Sequence, residues 1–181
     1  MVSSELHDTL VRVGPFAVGL AVVALVARVR PQARERLAWK PVAPGTMVRW
    51  LLLWALWLAA GELVSWALGR PEAPEFTDHG LALAIRVFGI VVLAPLLEEL
   101  VFRGLLFQLL LGRIGPAPTV IGTALVFALA HGQYRGLDLA QVLVDGLVLG
   151  LARLRTGSTR VPFWMHALGN ALAAFQRLTF R

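Results

Sequence analysis

Glu98 and Glu99 stand side by side in Leu96-Leu97-Glu98-Glu99-Leu100-Val101-Phe102-Arg103-Gly104-Leu105-Leu106-Phe107, a run that is otherwise almost wholly apolar. An ionised group at membrane depth costs roughly 3 kcal/mol on insertion scales. Three such groups in six residues therefore call for more than packing. On a helix, Glu99 and Arg103 are four apart in the favourable order, so the guanidinium can neutralise that carboxylate. Glu98 lies about 100° further round and is less directly paired. A buried carboxylate with little compensation resists ionisation, which is how a glutamate becomes a useful base near neutral pH. The competing reading is a charge cluster that fixes helix position. It leaves one negative charge over.

Three further polar elements interrupt apolar segments. His131 closes Ala124-Leu125-Val126-Phe127-Ala128-Leu129-Ala130-His131, with Phe127 one turn earlier on the same face, as a wall of a site or as core packing. His166 and Asn170 are spaced to share a helical face. They offer an imidazole and an amide that would hold an oxyanion or hydrogen-bond a neighbouring helix. Asp145, with Gln141, is expected to pair with Arg86 or Arg103 or to line a cavity in a supporting role. Glu62 and Arg86 read as structural or interfacial, and His7 and His79 sit in polar flanks. Two histidines and a glutamate make a plausible zinc set, but there is no H-E-x-x-H helix to make that signal specific. The chain has no cysteine, which removes disulfides, thiolate metal sites and cysteine nucleophiles. Of Ser3, Ser4, Ser65 and Ser158, only Ser65 falls in an apolar span, and no G-x-S-x-G surrounds it.

The elements that must position these groups are membrane helices. Over 181 residues the apolar fraction is 57% and the charged fraction 15%, and mean hydropathy is +0.71, whereas soluble domains run nearer a quarter charged. The net charge of +6 is clustered between apolar runs. That suits anionic headgroups better than nucleic acid, which would want a solvated basic face with aromatics on it. Apolar runs fall at about 13–27, 50–68, 80–111, 118–131, 139–152 and 161–175. None shows strand alternation, so the expected fold is all-α, a polytopic membrane bundle of six or seven helices, some broken or short. The first run lacks a basic n-region and is followed by Arg28, Arg30, Arg34, Arg36 and Lys40, so it reads as an uncleaved anchor. The 80–111 run is too long for one straight crossing of a ~30 Å core, and Pro95 is expected to kink or break it. Tilt is expected to be small, with local bilayer thinning. Residues 28–49 carry six Lys/Arg and should be cytoplasmic, as should the loop with Arg153, Arg155 and Arg160. The loop 69–79, with Pro71, Pro74, Glu72, Glu75 and Asp78 against Arg70, should lie outside. These sides agree if 80–111 crosses once as a broken helix and conflict if it forms a hairpin. Residues 132–135 read as loop.

Glu98-Glu99-x-x-x-Arg103, Phe127-x-x-x-His131 and His166-x-x-x-Asn170, in that order within apolar helices, resemble the three motifs of the CPBP family. These are the CAAX proteases and bacteriocin-processing enzymes, also called the Abi family of glutamic-type intramembrane proteases. The resemblance covers about residues 85–176. It divides the chain into residues 1–79, two transmembrane helices with a basic cytoplasmic loop, and 80–181, a catalytic membrane domain. It implies a multi-pass protein of the cell membrane that hydrolyses a peptide bond of a membrane-anchored peptide or protein. It implies that Glu98 and His131 activate a water, that His166 and Asn170 stabilise the oxyanion, and that Glu99, Arg103 and Phe127 support the site. No cofactor is expected, zinc at the Glu/His cluster being the alternative, and nucleic acid is not an expected partner. Two other functions compete: a non-catalytic immunity or scaffolding protein of the same family, and a small proton-coupled transporter. A transporter has no need of the His166/Asn170 pair and tends to show internal repeats, which are absent from the sequence.

Overall fold

In lipid a backbone must satisfy its own hydrogen bonds, so Leu/Ala/Val-rich runs without alternation fold as helices. The computed structural model describes residues 2–70 and 75–179. Pro71, Glu72 and Pro74 of the expected outer loop lie outside the described residues. Among those described, all regular structure is helical: α1 (Val2–Val29), α2 (Pro31–Leu37), α3 (Pro44–Ala67), α4 (Gly80–Ile114), α5 (Pro116–Ala130), α6 (Leu137–Thr156) and α7 (Arg160–Thr179). Proline opens α2, α3 and α5, where its fixed φ suits the first turn and its missing N–H costs nothing. Ser4–Val29, Pro44–Ala67 and Gly80–Ile114 are long and apolar enough to cross a membrane. The bundle is the expected one, but its seventh helix is the short α2 in the basic linker. It does not come from a division of the 80–111 run.

The expectation at Pro95 is a kink or a break. The chain does not break there. α4 continues for 35 residues, about 52 Å at 1.5 Å per residue, and absorbs the disturbance as two π-helical stretches, Gly89–Leu93 and Leu100–Leu106. Widening the turn ahead of Pro95 relieves the clash of its ring with a preceding carbonyl. A single continuous helix excludes the hairpin. A helix of this length must tilt in, or project from, a ~30 Å core. α6 and α7, at 20 residues each, are long enough for a crossing of about 30 Å, so of the helices after α4 only α5 is short.

α1 lies along α4, and α3 packs on α7. α5 and α6 pack closely because Gly146 and Gly150 carry no Cβ. One at Gly146 would sit 3.1 Å from Ala124 Cα, and one at Gly150 3.2 Å from a Val120 methyl. Small residues four apart permit this approach in membrane helices. Trp54, Leu149, Ala152, Val161 and Met165 form a buried cluster between α3, α6 and α7.

The two ends of the bundle differ in charge. At one, the turn before α7 is tied to the basic linker: Thr159 N–H donates to Ala38 O at 3.0 Å, Thr159 Oγ1 to Leu37 O at 2.6 Å and Ser158 Oγ to Lys40 O at 2.5 Å. At the other, Arg86 pairs with Asp78, Arg70 pairs with Asp138, and Thr9 Oγ1 donates to Asp78 Oδ1 at 3.0 Å.

Candidate active site

α4, α5 and α7 bring the three sequence motifs together. Glu99 is fully buried, and its Oε1 accepts from Arg103 Nη1 at 3.0 Å, the expected i, i+4 pair. The same oxygen faces His166 Nδ1 at 2.9 Å. Arg103, also fully buried, donates from Nη2 to the Gly146 carbonyl at 3.2 Å and lies 4.3 Å from the centre of the Phe127 ring. Glu99 is thus neutralised by one neighbour and orients another.

Glu98 is differently placed. Its Oε2 lies 3.8 Å from His131 Nε2 and 3.8 Å from His166 Nε2, beyond direct hydrogen-bond range. That oxygen is buried without a hydrogen-bond partner among the described residues. The tautomers follow from the other ring nitrogens. His131 Nδ1 is 2.8 Å from the Phe127 carbonyl, which can only accept, so Nδ1 carries the proton. His166 Nδ1 meets the Glu99 carboxylate and is protonated by the same logic. In the neutral rings both Nε2 atoms are therefore lone pairs. A carboxylate oxygen and two imidazole nitrogens therefore face one another.

His131 and His166 line a hollow of about 240 Å³ between α3, α5, α6 and α7, and Glu98 lies behind them. Phe127, Asp145 and Asn170 line it too, and it runs to Glu62, Tyr134 and Gln176 at the end opposite the basic linker. Phe127 is a shared wall, its ring centre 4.5 Å from that of His131, 5.7 Å from His166 and 5.4 Å from Phe102. Asn170 lines the hollow but commits one donor elsewhere: Nδ2 donates to the Ile90 carbonyl at 2.8 Å. Asp145 does not pair with Arg86, which pairs with Asp78, and it makes no ion pair with Arg103. Its Oδ1 accepts from Trp57 Nε1 at 2.7 Å and from Gln141 Nε2 at 2.9 Å.

Several contributors escape the motif reading. Trp54, Leu58 and Glu62 bring α3 to the hollow, and Trp57 reaches Asp145 on its wall, though nothing in their spacing marks a site. The usable signal was Trp57 itself, because an indole N–H in an apolar helix needs an acceptor. Tyr134, in the turn read as loop, stacks on His131 with ring centres 6.2 Å apart. Among the described residues no three histidine or carboxylate side chains converge as a metal-binding set.

A sequence model of the type II CAAX prenyl endopeptidase Rce1-like family matches residues 80–172, a stretch that contains all seven motif residues. An uncharacterised 24.3 kDa protein of Escherichia coli is 32% identical over 112 residues, a match covering 58% of this chain and 52% of that protein. The chain thus spans about half the length of the curated relative it matches. No solved structure matches.

Proposed function

The chain belongs to the type II CAAX prenyl endopeptidase Rce1-like family, and from that premise we propose that it is a multi-pass intramembrane endopeptidase of the cell membrane, cutting a membrane-anchored protein or peptide. The observation that carries the reading is the meeting of Glu98 Oε2 with two imidazole Nε2 atoms, each 3.8 Å away, where both imidazoles line a hollow in an apolar bundle.

The reaction needs a water in contact with both the carboxylate and His131, which a small outward shift of either side chain from their 3.8 Å separation would admit. Glu98 and His131 take a proton from that water as its oxygen attacks the scissile carbonyl carbon. The negative charge that develops on the carbonyl oxygen needs donors. His166, its ring held by the Glu99 carboxylate at Nδ1, supplies one from Nε2 when that nitrogen carries a proton. Asn170 supplies the second from the N–H not given to Ile90. Collapse of the tetrahedral intermediate breaks the C–N bond. The proton held by the glutamate–histidine pair passes to the departing amine, leaving a new carboxyl terminus. Arg103 holds the Glu99 carboxylate in place, and Phe127 sets the spacing between the rings. This chemistry uses no cofactor.

The test compares the C-termini of membrane proteins in cells carrying wild type or Glu98→Gln. A set of shortened C-termini present only with wild type is expected. Processing of those substrates by the purified Glu98→Gln protein would overturn the assignment.

A further inference from the structure

A larger cavity, about 620 Å³, lies at the basic end of the bundle, between the linker that carries α2, the end of α4 and the end of α6. Its rim carries the exposed Arg36 and Lys40, and its inner wall carries Arg153 and Phe107. Arg153 is 4% exposed. Its Nε donates to the Arg103 carbonyl at 2.8 Å and its Nη2 to Gln108 Oε1 at 3.2 Å, and its guanidinium carbon lies 5.2 Å from the Phe107 ring centre. Nη1 has no hydrogen-bond partner among the described residues.

This is a buried cation without a counter-charge. No carboxylate among the described residues lies within ion-pair distance of Arg153. Glu35 is the one acid on the cavity wall, against three cations. A buried guanidinium left unpaired is costly, and its planar fork matches the oxygens of a phosphate. The rim is fixed in place, because Ser158 and Thr159 hydrogen-bond the carbonyls of Leu37, Ala38 and Lys40. Trp39, between the tied carbonyls, is 41% exposed and leans on Phe163, the placement of an aromatic at headgroup level. Leu111 and Leu154 give the cavity an apolar side.

We propose that this cavity is a phosphate-binding site, and that its position at the basic end of a membrane bundle makes the headgroup phosphate of an anionic phospholipid its occupant. Arg153 would clasp the phosphate with Nη1 while Arg36 and Lys40 close over it. The same guanidinium holds the Arg103 carbonyl within the second π stretch. An occupied cavity therefore stiffens the segment whose side chain grips Glu99.

Purified, detergent-solubilised wild type and the Arg36→Gln/Lys40→Gln variant would be titrated at fixed ionic strength with short-chain phosphatidylglycerol, phosphatidylcholine of equal chain length, and inorganic phosphate. Thermal midpoints and native mass spectrometry provide the readouts. Both substituted residues are exposed and outside the catalytic set, and Arg36→Gln alone provides a milder second variant. Phosphatidylglycerol is expected to raise the wild-type midpoint and stay bound in the gas phase, with at least tenfold weaker binding in the double variant and an intermediate loss in the single one. Phosphatidylcholine is expected to do neither. Displacement of the lipid by inorganic phosphate would confirm that the phosphate is the group recognised. A full shift from inorganic phosphate alone, with none from the lipid, would overturn the headgroup as occupant. Equal responses to the two lipids, or phosphatidylglycerol binding unchanged in the variants, would overturn the site. No readout depends on proteolysis, so the result stands apart from the protease assignment.

Discussion

The side-chain amide of Asn170 donates to the carbonyl of Ile90 at 2.8 Å, and Ile90 is the residue whose carbonyl Pro95 leaves without a helical partner. In an α-helix the donor to Ile90 would be Ala94, but the N–H of Ala94 goes to Gly89. In a π turn the donor would be residue 95, and proline has none. A buried carbonyl must find a partner, and α7 supplies it. Asn170 therefore joins the π distortion of α4 to the helix that carries His166. The same device recurs at the second π stretch, where Arg153 Nε serves the Arg103 carbonyl at 2.8 Å.

Asn170→Ala removes this bond and strands the carbonyl, at a cost of about 1–3 kcal/mol. It also removes one oxyanion donor, which lowers turnover by roughly two orders of magnitude. The two effects separate in a Pro95→Ala background, where residue 95 regains an N–H. There the stability cost of Asn170→Ala should shrink while the turnover loss persists. Turnover recovering together with stability would show that Asn170 only positions α4.

The two adjacent glutamates should respond unequally to the same change. Glu99→Gln leaves Arg103 fully buried without its charge partner, and breaking such a pair costs about 3–5 kcal/mol. Glu98 has a buried oxygen without a hydrogen-bond partner, so neutralising it removes an electrostatic burden. Thermal unfolding of the purified variants should show a large fall in midpoint for Glu99→Gln and little or none for Glu98→Gln. Equal falls would contradict the division of roles.

Much of this site was legible because helical spacing fixes faces. The i, i+4 relations of Glu99 to Arg103, Phe127 to His131 and His166 to Asn170 put each pair on one side of a helix, and an apolar context made every charge conspicuous. What stayed hidden depends on neighbours. Pro95 alone reads as a break, and only Asn170, 75 positions further along the sequence, explains why α4 continues. Gly146 and Gly150 look unremarkable until α5 lies against them. Asp145 seemed to want an arginine, but the indole of Trp57 reached it first. The helix α2 was masked by its own charge, since a basic linker carries no apolar period.

Asp78, in the loop before α4, should make stability depend on acid. Burial works against its ionisation, but hydrogen bonds from Arg86 and Thr9 and the charges of Arg86 and Arg12 outweigh that and hold its carboxyl below the usual range. With the folded value below the unfolded one, the stabilisation is complete above the ordinary carboxylate value of about 4 and is lost as pH falls through the folded value. Unfolding midpoints followed downward from pH 6 should fall more steeply for wild type than for Asp78→Asn. Parallel curves would refute the coupling.

The metal question has a direct answer. If Glu98 and His131 activate water unaided, cleavage of a membrane-anchored substrate by purified protein survives excess chelator. Loss of activity on chelation and its return with zinc would establish the zinc alternative and reassign Glu98, His131 and His166 as ligands.

Which side of the membrane the hollow faces can be read without background, because the chain has no cysteine. Arg28 to Arg49 and the Arg153–Arg160 region gather at one end of the bundle, and such clusters remain in the cytoplasm. The hollow runs toward Tyr134 at the other end, so substrate would arrive from the outer face. Arg155→Cys and Arg135→Cys alter exposed positions at the two ends. An impermeant maleimide on intact cells should label the cysteine at 135 and reach that at 155 only after permeabilisation. The reverse pattern would turn the bundle over and bring the hollow to the cytoplasmic side.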